Sequence, residues 1–317
     1  MNIIRENIRD ILNHIKSQAL YGNAFVRPEI QQIFEECGFH LSTTHYYSPI
    51  VSLDQARQVY RTQHSYEFAL QSQLDAKQWE LMKNLLSYVE ELRDIPRDPL
   101  HRGFYWNNPM FPPLDAIAYY GLNRELRPCR VFEIGSGHST LIALKAAAYH
   151  DQTTITCIEP YPGAELNSVA DRIRLISSPI EKVNLNLFSE LEEGDILFFD
   201  TSHTVKIGSD VNYIIFEVLP RLAPGVWIHC HDIFLPFEYP KHWIHEIGIQ
   251  WNEQYLIGAL LMSSSSYKVK LMNYWLSTTY AEELNNYCQM LPIWNLTENL
   301  GGARGASLWM LKMDTPA

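Results

Sequence analysis

Two short stretches of the chain combine histidine and carboxylate side chains, and each follows an apolar run. Ile196 to Phe199 is followed by Asp200-Thr201-Ser202-His203, and Val226 to Ile228 is followed by His229-Cys230-His231-Asp232. Apolar runs of this kind are typical of parallel strands that are covered on both faces of a sheet. Because reacting groups gather beyond the carboxyl ends of parallel strands, we expect the two stretches to form one cluster.

One chemical use of such a cluster is to bind a divalent metal. Asp200, His231 and Asp232 offer the oxygen and nitrogen ligands that suit a six-coordinate ion such as magnesium, manganese or iron. His229 is expected to point to the opposite face of its strand and to have a structural role. The sequence therefore predicts a metal site formed by three side chains.

The other chemical use is proton transfer from a hydroxyl group. An imidazole with an ordinary pKa of about 6.5 can accept such a proton at neutral pH, and more easily if a metal acidifies the hydroxyl. His203 is placed to be this base, and Asp200 to orient the hydroxyl. We therefore predict His203 and Asp200 as the catalytic residues.

A turn with two glycines follows an earlier strand-like run, Arg130 to Ile134. In this turn, Glu133-Ile134-Gly135-Ser136-Gly137, the glycines would let the backbone approach a ligand closely. Thr140 occupies the position of the third glycine in the dinucleotide motif G-x-G-x-x-G, which argues against NAD. Glu159 ends the next strand-like run, where its carboxylate could accept hydrogen bonds from both hydroxyls of a ribose.

These marks resemble those of the class I S-adenosylmethionine-dependent methyltransferases, over about residues 106–317. The family has E/D-x-G-x-G after its first strand and an acidic residue after its second. The resemblance implies that Gly135 and Gly137 pack against the methionine part of the cofactor and that Glu159 binds its ribose. The full set of cofactor-binding residues that we predict from it is Glu133, Gly135, Ser136, Gly137, Glu159, Pro160 and Ser178.

More narrowly, the chain resembles a bacterial subgroup often called the methyltransferase 24 type. The stretches that carry this likeness include Asn108 to Phe111, Ile158 to Pro162 and Trp251 to Tyr255. Metal-dependent O-methyltransferases of the catechol type place an aspartate after strand four and an acid/amide pair after strand five. Here His231 stands where that type has an oxygen ligand, which favours manganese or iron over magnesium. His203 stands where that type has its base lysine.

The remaining pattern predicts the elements that must position these groups. Strand-like runs alternate with helical patterns, which indicates βαβ units and a parallel sheet. We expect an α/β fold, with a Rossmann-like, seven-stranded methyltransferase sheet over residues 106–317. Its last strand, Ala306 to Met313, would be antiparallel. Helical spacing of apolar residues near the start, and again from Leu74 to Leu92, predicts a mostly helical N-terminal cap over residues 1–105.

Composition limits the classes of partner. The formal net charge is −11, with acidic and basic residues mixed along the chain, which disfavours a nucleic-acid or anionic-membrane binder. The five cysteines form no CxxC pair, and the start of the chain lacks the apolar core of a signal peptide, so we expect a cytoplasmic protein. The expected partner is a small-molecule or carrier-bound acceptor; oligomeric state is not predicted.

We therefore predict methyl transfer from S-adenosylmethionine to a small acceptor, with oxygen the preferred acceptor atom and a divalent metal as a second cofactor. Two alternatives stay open at this stage. One is a metal-dependent hydrolase that uses His229, His231 and Asp232. The other is a binding module that retains the cofactor and has lost catalysis.

Overall fold

The computed structural model describes residues 8–15, 20–21, 25–59, 65–99, 103–150, 152–292 and 305–314. The chain forms two compact units. One unit contains residues 1–63 and 243–250, and the other contains residues 64–242 and 251–317. In the first unit, the described part consists of helical residues 8–15, a hairpin of Leu20–Tyr21 and Phe25–Val26, and further short helices.

The larger unit is built on a seven-stranded sheet. In chain order its strands are β1 (Arg130–Ile134), β2 (Thr154–Ile158), β3 (Arg174–Ile176), β4 (Ile196–Phe199), β5 (Trp227–Cys230), β6 (Tyr267–Met272) and β7 (Leu308–Lys312). Their spatial order is β3-β2-β1-β4-β5-β7-β6. Strands β1 to β5 pair in parallel, and β7 pairs antiparallel with both β5 and β6. The predicted sheet with one reversed strand is confirmed.

Helices precede and connect these strands. In chain order they are α1 (8–15), α2 (Pro28–Glu36), α3 (Leu53–Val59), α4 (Glu67–Leu70), α5 (Lys77–Leu86), α6 (Pro113–Leu126), α7 (His138–Ala147), α8 (Ala164–Asn167), α9 (Asp210–Tyr213), α10 (Glu253–Ser263), α11 (Asn273–Thr279) and α12 (Ala281–Cys288). Within the residues that the structure describes, no helix combines the length and the apolar character that crossing a bilayer requires.

The sheet is apolar because both of its faces are covered. All four residues of β4 are buried. On one face Val131 of β1 packs in a core with Tyr119 of α6 and Ile142 of α7. On the other face Phe132 packs in a core that includes Val211 of α9. Burial on both faces fixes the strands rigidly, so their carboxyl ends can hold side chains in defined positions.

The division between the units differs from the predicted boundary near residue 105, because residues 65–99 belong with the sheet. Strand β6 lies at the edge of the sheet, and side chains from this segment bind its backbone. Gln73 Oε1 accepts a hydrogen bond from Val269 N at 3.3 Å, and Gln78 Oε1 accepts one from Met272 N at 2.8 Å. An edge strand needs partners of this kind to satisfy its free N–H groups.

Candidate active site

The turn after β1 lies directly against the end of β4. Gly135 has φ +79°, and its N–H donates to the carbonyl of Ile158 at 3.0 Å. A Cβ at this position would overlap the carbonyl oxygen of Asp200. Only glycine therefore fits here, and the close packing brings the predicted cofactor turn and the predicted reactive cluster together.

The second glycine of the turn faces open space. A Cβ built at Gly137 would meet only Glu165 Oε1, at 3.8 Å. Gly137 precedes α7, whose first N–H groups have no partner within the helix. Ser136 is buried and its hydroxyl donates to the carbonyl of Glu133 at 3.1 Å, which holds the turn closed. The open space beside Gly137, at the start of α7, has room for a bound cofactor, and we call it the cradle.

The side chain of Glu133 points away from that cradle. It is fully buried, and its carboxylate accepts hydrogen bonds from the hydroxyls of Tyr119, at 2.8 Å, and Thr140. Burial raises the pKa of Glu133 to about 7, although these hydrogen bonds oppose the shift. The expectation that Glu133 contacts the cofactor is therefore not supported: its carboxylate fastens the turn and the first residues of α7 to the core.

The other predicted cofactor residues lie at the neighbouring strand ends. Glu159 follows β2, is about half buried, and accepts a hydrogen bond from Tyr161 N at 2.8 Å. Burial raises the pKa of Glu159. Pro160 is partly exposed beside it, and Ser178 follows β3, where its hydroxyl donates to the carbonyl of Pro179 at 3.2 Å. Contacts of Glu159, Pro160 and Ser178 with a cofactor stay predictions.

Asp200, His231 and Asp232 converge at the ends of β4 and β5. Each offers one ligand atom, and these atoms lie within 4.8 Å of one another. His231 Nδ1 is 3.5 Å from Asp200 Oδ2 and 3.7 Å from Asp232 Oδ1. These distances are long for hydrogen bonds, and among the described residues neither ring nitrogen of the buried His231 has a hydrogen-bond partner. The predicted three-residue cluster is thus present as a geometric arrangement.

His203 lies between three carboxylates. Its Nε2 is 3.0 Å from Asp200 Oδ1 and 3.6 Å from Asp232 Oδ2, and its Nδ1 is 2.9 Å from Glu253 Oε2. Burial alone would lower the pKa of His203, but the bonds to Asp200 and Glu253 outweigh it and raise the pKa to about 11. A protonated ring cannot accept a proton. The structure therefore does not favour the predicted role of His203 as general base.

The backbone is unusual at the same place. Three described residues other than glycine have positive φ, and two of them are His203 and Asp232, each at +55°. This conformation costs about 1 kcal/mol or more for such residues, and it persists where surrounding contacts impose it. The strained positions coincide with the carboxylate–histidine cluster, which is typical of a functional site.

His229 does not belong to this cluster. Its ring lies on the same face of β5 as that of His231, with the centroids 5.8 Å apart, because residues two apart in a strand share a face. The expectation that it points to the opposite face is wrong. His229 is nevertheless buried, stacks on Phe198 at 4.0 Å, and its Nε2 lies 2.6 Å from the Ser307 hydroxyl. A hydrolase site that needs His229 as a ligand is not supported by this position.

Comparison with known proteins agrees with this geometry. The family model described as "Methyltransferase domain" matches residues 132–233, from β1 to just beyond Asp232. A protein of Archaeoglobus fulgidus, described only as uncharacterized, is 34% identical over 201 residues, covering 59% of this chain and 86% of that protein. The chain belongs to the class I methyltransferases. S-adenosylmethionine, the methyl donor of this family, is the cofactor that the sequence predicts.

Solved structures show weaker likenesses to this methyltransferase. The cofactor-bound protein Rv0187 from MTB is 13% identical, with 74% of this chain and 90% of that chain covered and a TM-score of 0.39. The plantazolicin methyltransferase BpumL in complex with SAH is 11% identical, with 82% and 98% covered and a TM-score of 0.34. At this level of similarity the site must be interpreted from the chain's own residues.

Two carboxylates of the methyltransferase site are not identifiable from the sequence alone. Glu253, in the first turn of α10, is 1% exposed and binds His203 together with the hydroxyl of Thr201. Asp115, in the first turn of α6, is fully buried, and its Oδ2 is 3.4 Å from His231 Nε2. An acidic residue in the first turn of a helix is ordinary, so neither residue type gave a signal.

Proposed function

We propose that this methyltransferase transfers the methyl group of S-adenosylmethionine to a hydroxyl oxygen of a small molecule, and that Asp200, His231 and Asp232 hold a divalent cation beside it. The observation that supports the proposal is the packing of Gly135 against Asp200. Because the cofactor turn and the cluster touch, a donor held by the turn and an acceptor held by the cluster would be neighbours.

The charges around the cluster favour a cation. The carboxylates of Asp115, Asp200, Asp232 and Glu253 lie around the imidazole rings of His203 and His231. When all four carboxylates are ionised, the cluster carries at least two net negative charges, even with both rings protonated. An unbalanced buried charge is costly, and a divalent ion would balance it. The mixed oxygen and nitrogen donors fit manganese or iron better than magnesium.

Asp200 is the residue that we propose to receive the acceptor hydroxyl. Its side chain is 29% exposed, whereas that of His203 is 7% exposed. Burial would raise the pKa of Asp200, but His231 and His203 outweigh it and lower the pKa, so the carboxylate stays ionised and can accept a hydrogen bond. His203 would act through Asp200 by fixing its orientation. A cation at this site would lower the pKa of a bound hydroxyl, so that its proton could pass to the Asp200 carboxylate. The hydroxyl oxygen would then take the methyl group, and S-adenosylhomocysteine would leave.

The test measures cofactor and metal binding separately and then turnover. We expect wild-type protein to bind S-adenosylmethionine and Mn²⁺ in calorimetry, and to methylate members of a panel of phenols, sugars and other alcohols, with less product in EDTA. Asp232→Asn should weaken Mn²⁺ binding by about tenfold or more, because it removes a charged ligand, and should leave cofactor affinity unchanged. Asp171→Asn, at an exposed position, controls for the loss of one charge.

The outcomes separate the parts of the proposal. Failure of wild-type protein to bind S-adenosylmethionine would defeat the whole of it. Cofactor binding without Mn²⁺ binding would remove the metal and leave methyl transfer. Binding of both without turnover of any acceptor would favour the binding module over the enzyme.

A further inference from the structure

Asp115 is a buried carboxylate that three other groups hold in place. Its Oδ1 accepts hydrogen bonds from Asn273 Nδ2 at 2.7 Å and from Ser307 N at 3.0 Å, and its Oδ2 accepts one from Ala306 N at 2.7 Å. The backbone donors cannot rotate away, so the plane of the carboxylate is fixed. Asp115 is fully buried, so its carboxylate is shielded from bulk solvent.

The fixed carboxylate faces one particular nitrogen of His231. Asp115 Oδ2 lies 3.4 Å from His231 Nε2, while Nδ1 lies toward Asp200 Oδ2 at 3.5 Å and Asp232 Oδ1 at 3.7 Å. The ring also lies against Phe111, with centroids 5.3 Å apart. Neither nitrogen makes a hydrogen bond within the described residues, but their surroundings differ: Nε2 faces the fixed carboxylate of Asp115, and Nδ1 faces Asp200 and Asp232.

We propose that Asp115 is a positioning residue that keeps the proton of His231 on Nε2 and leaves Nδ1 as the nitrogen that binds the divalent cation. This inference rests on the proposed function, since it needs a cation at Asp200 and Asp232. A metal-binding histidine generally donates its second N–H to a carboxylate or carbonyl, which fixes the tautomer and turns the ring toward the metal. Asp115 supplies that acceptor from helix α6, whereas the three ligands follow strands β4 and β5.

The first test uses wild-type protein loaded with Zn²⁺, a diamagnetic probe. Long-range ¹H–¹⁵N correlation spectra distinguish a metal-bound ring nitrogen from one that carries a proton. We expect His231 to show Nδ1 bound to the metal and a slowly exchanging proton on Nε2. Binding through Nε2, with the proton on Nδ1, would overturn the inference without affecting the metal site itself.

The second test compares two variants by calorimetry with Mn²⁺. Asp115→Asn replaces the carboxylate that faces Nε2, and we expect about tenfold weaker binding or more. Asn273→Ala is the matched control, because it removes one hydrogen bond from Asp115 Oδ1 and leaves Oδ2 facing His231; its Mn²⁺ affinity should match that of wild-type protein.

Equal Mn²⁺ affinities of the two folded variants would overturn the role of Asp115. If Asp115→Asn does not fold, the Zn²⁺ spectrum of wild-type protein decides alone. Wild-type protein that binds neither Mn²⁺ nor Zn²⁺ would overturn this inference and the metal part of the proposed function together, whereas its affinity for S-adenosylmethionine tests methyl transfer independently.

Discussion

Glu133 combines a carboxylate with complete burial under the cofactor turn. Its pKa, ordinarily 4.5, is raised to about 7 in the folded protein because burial disfavours the charged form. A carboxyl with a raised pKa in the folded state binds its proton more tightly there than in the unfolded chain. The corresponding stability is fully present below pH 4.5 and is lost as the pH rises through 7.

Replacement of Glu133 by Gln should remove this pH dependence. Between pH 5 and pH 8, we expect the free energy of unfolding of wild-type protein to fall by about 2 kcal/mol relative to that of Glu133→Gln. The amide can still bond to the hydroxyls of Tyr119 and Thr140, so the fold should persist. Urea unfolding of both proteins at the two pH values measures the difference.

A variant at an exposed carboxylate, Glu181→Gln, controls for the loss of one negative charge. Parallel stability curves for wild-type protein and Glu133→Gln across this pH range would contradict the assignment of the shift to Glu133.

The sequence predicts the place of a functional side chain well where that residue directly follows an apolar strand. Asp200, His231 and Asp232 were predicted as a cluster because each follows an apolar strand, and they converge. The predicted base role of His203 is not favoured, because Asp200 and Glu253, the latter from a helix fifty residues later in the chain, raise the pKa of His203. Such convergence depends on tertiary packing, which local pattern does not contain.

At the scale of elements, the turn between β1 and α7 uses its two glycines differently. Gly135 has positive φ, and a Cβ there would overlap Asp200. A Cβ at Gly137 would point into open space. The first glycine is therefore required by the fold, and the second by the ligand that the turn is proposed to bind.

Alanine at each position should separate these requirements. Gly135→Ala should destabilise the protein by about 3 kcal/mol, since its Cβ overlaps Asp200 and its backbone is strained. Gly137→Ala should melt like wild-type protein and bind S-adenosylmethionine about tenfold more weakly, because its Cβ enters the cradle. Thermal melting and calorimetry give the two readouts. A Gly137→Ala protein with full cofactor affinity would contradict the placement of the cofactor.

Prediction of the elements succeeded where the pattern was strong. The unbroken apolar run from Ile196 to Phe199 matches the observed strand β4. The helical segment predicted from Leu74 to Leu92 divides into α5 and a 3-10 turn, Val89–Leu92. Periodicity alone does not show this break, because apolar residues continue across it on the buried side.

At the scale of the whole molecule, the chain leaves the larger unit after residue 242 and returns to it at residue 251. The intervening segment belongs to the unit of residues 1–63. Within that unit, the side chain of Gln250 pairs with the backbone of Val51, accepting from its N–H at 2.8 Å and donating to its carbonyl at 2.9 Å. The boundary predicted near residue 105 missed this arrangement, since contacts between distant segments leave no mark in composition.

Gln250→Ala should therefore lower the local stability of the unit of residues 1–63 and 243–250 and leave that of the larger unit unchanged. Loss of two hydrogen bonds costs about 1–3 kcal/mol locally. We expect faster hydrogen exchange in residues 51–59 and 243–250, and unchanged exchange in β1, β4 and β5. Mass spectrometry of exchanged peptides measures both, with the exposed Gln289→Ala as control. Faster exchange in the central strands as well would contradict two separate units.

The position of β7 has a consequence for how the chain folds during its synthesis. This strand is the last of the described strands to leave the ribosome, yet it lies between β5 and β6. The residues just before it, Ala306 and Ser307, supply the backbone donors that fix Asp115. Chains fold progressively from the N-terminus during synthesis. A nascent chain would thus contain the glycine turn early and would gain its complete carboxylate–histidine cluster only after residues 306–312 have been synthesised.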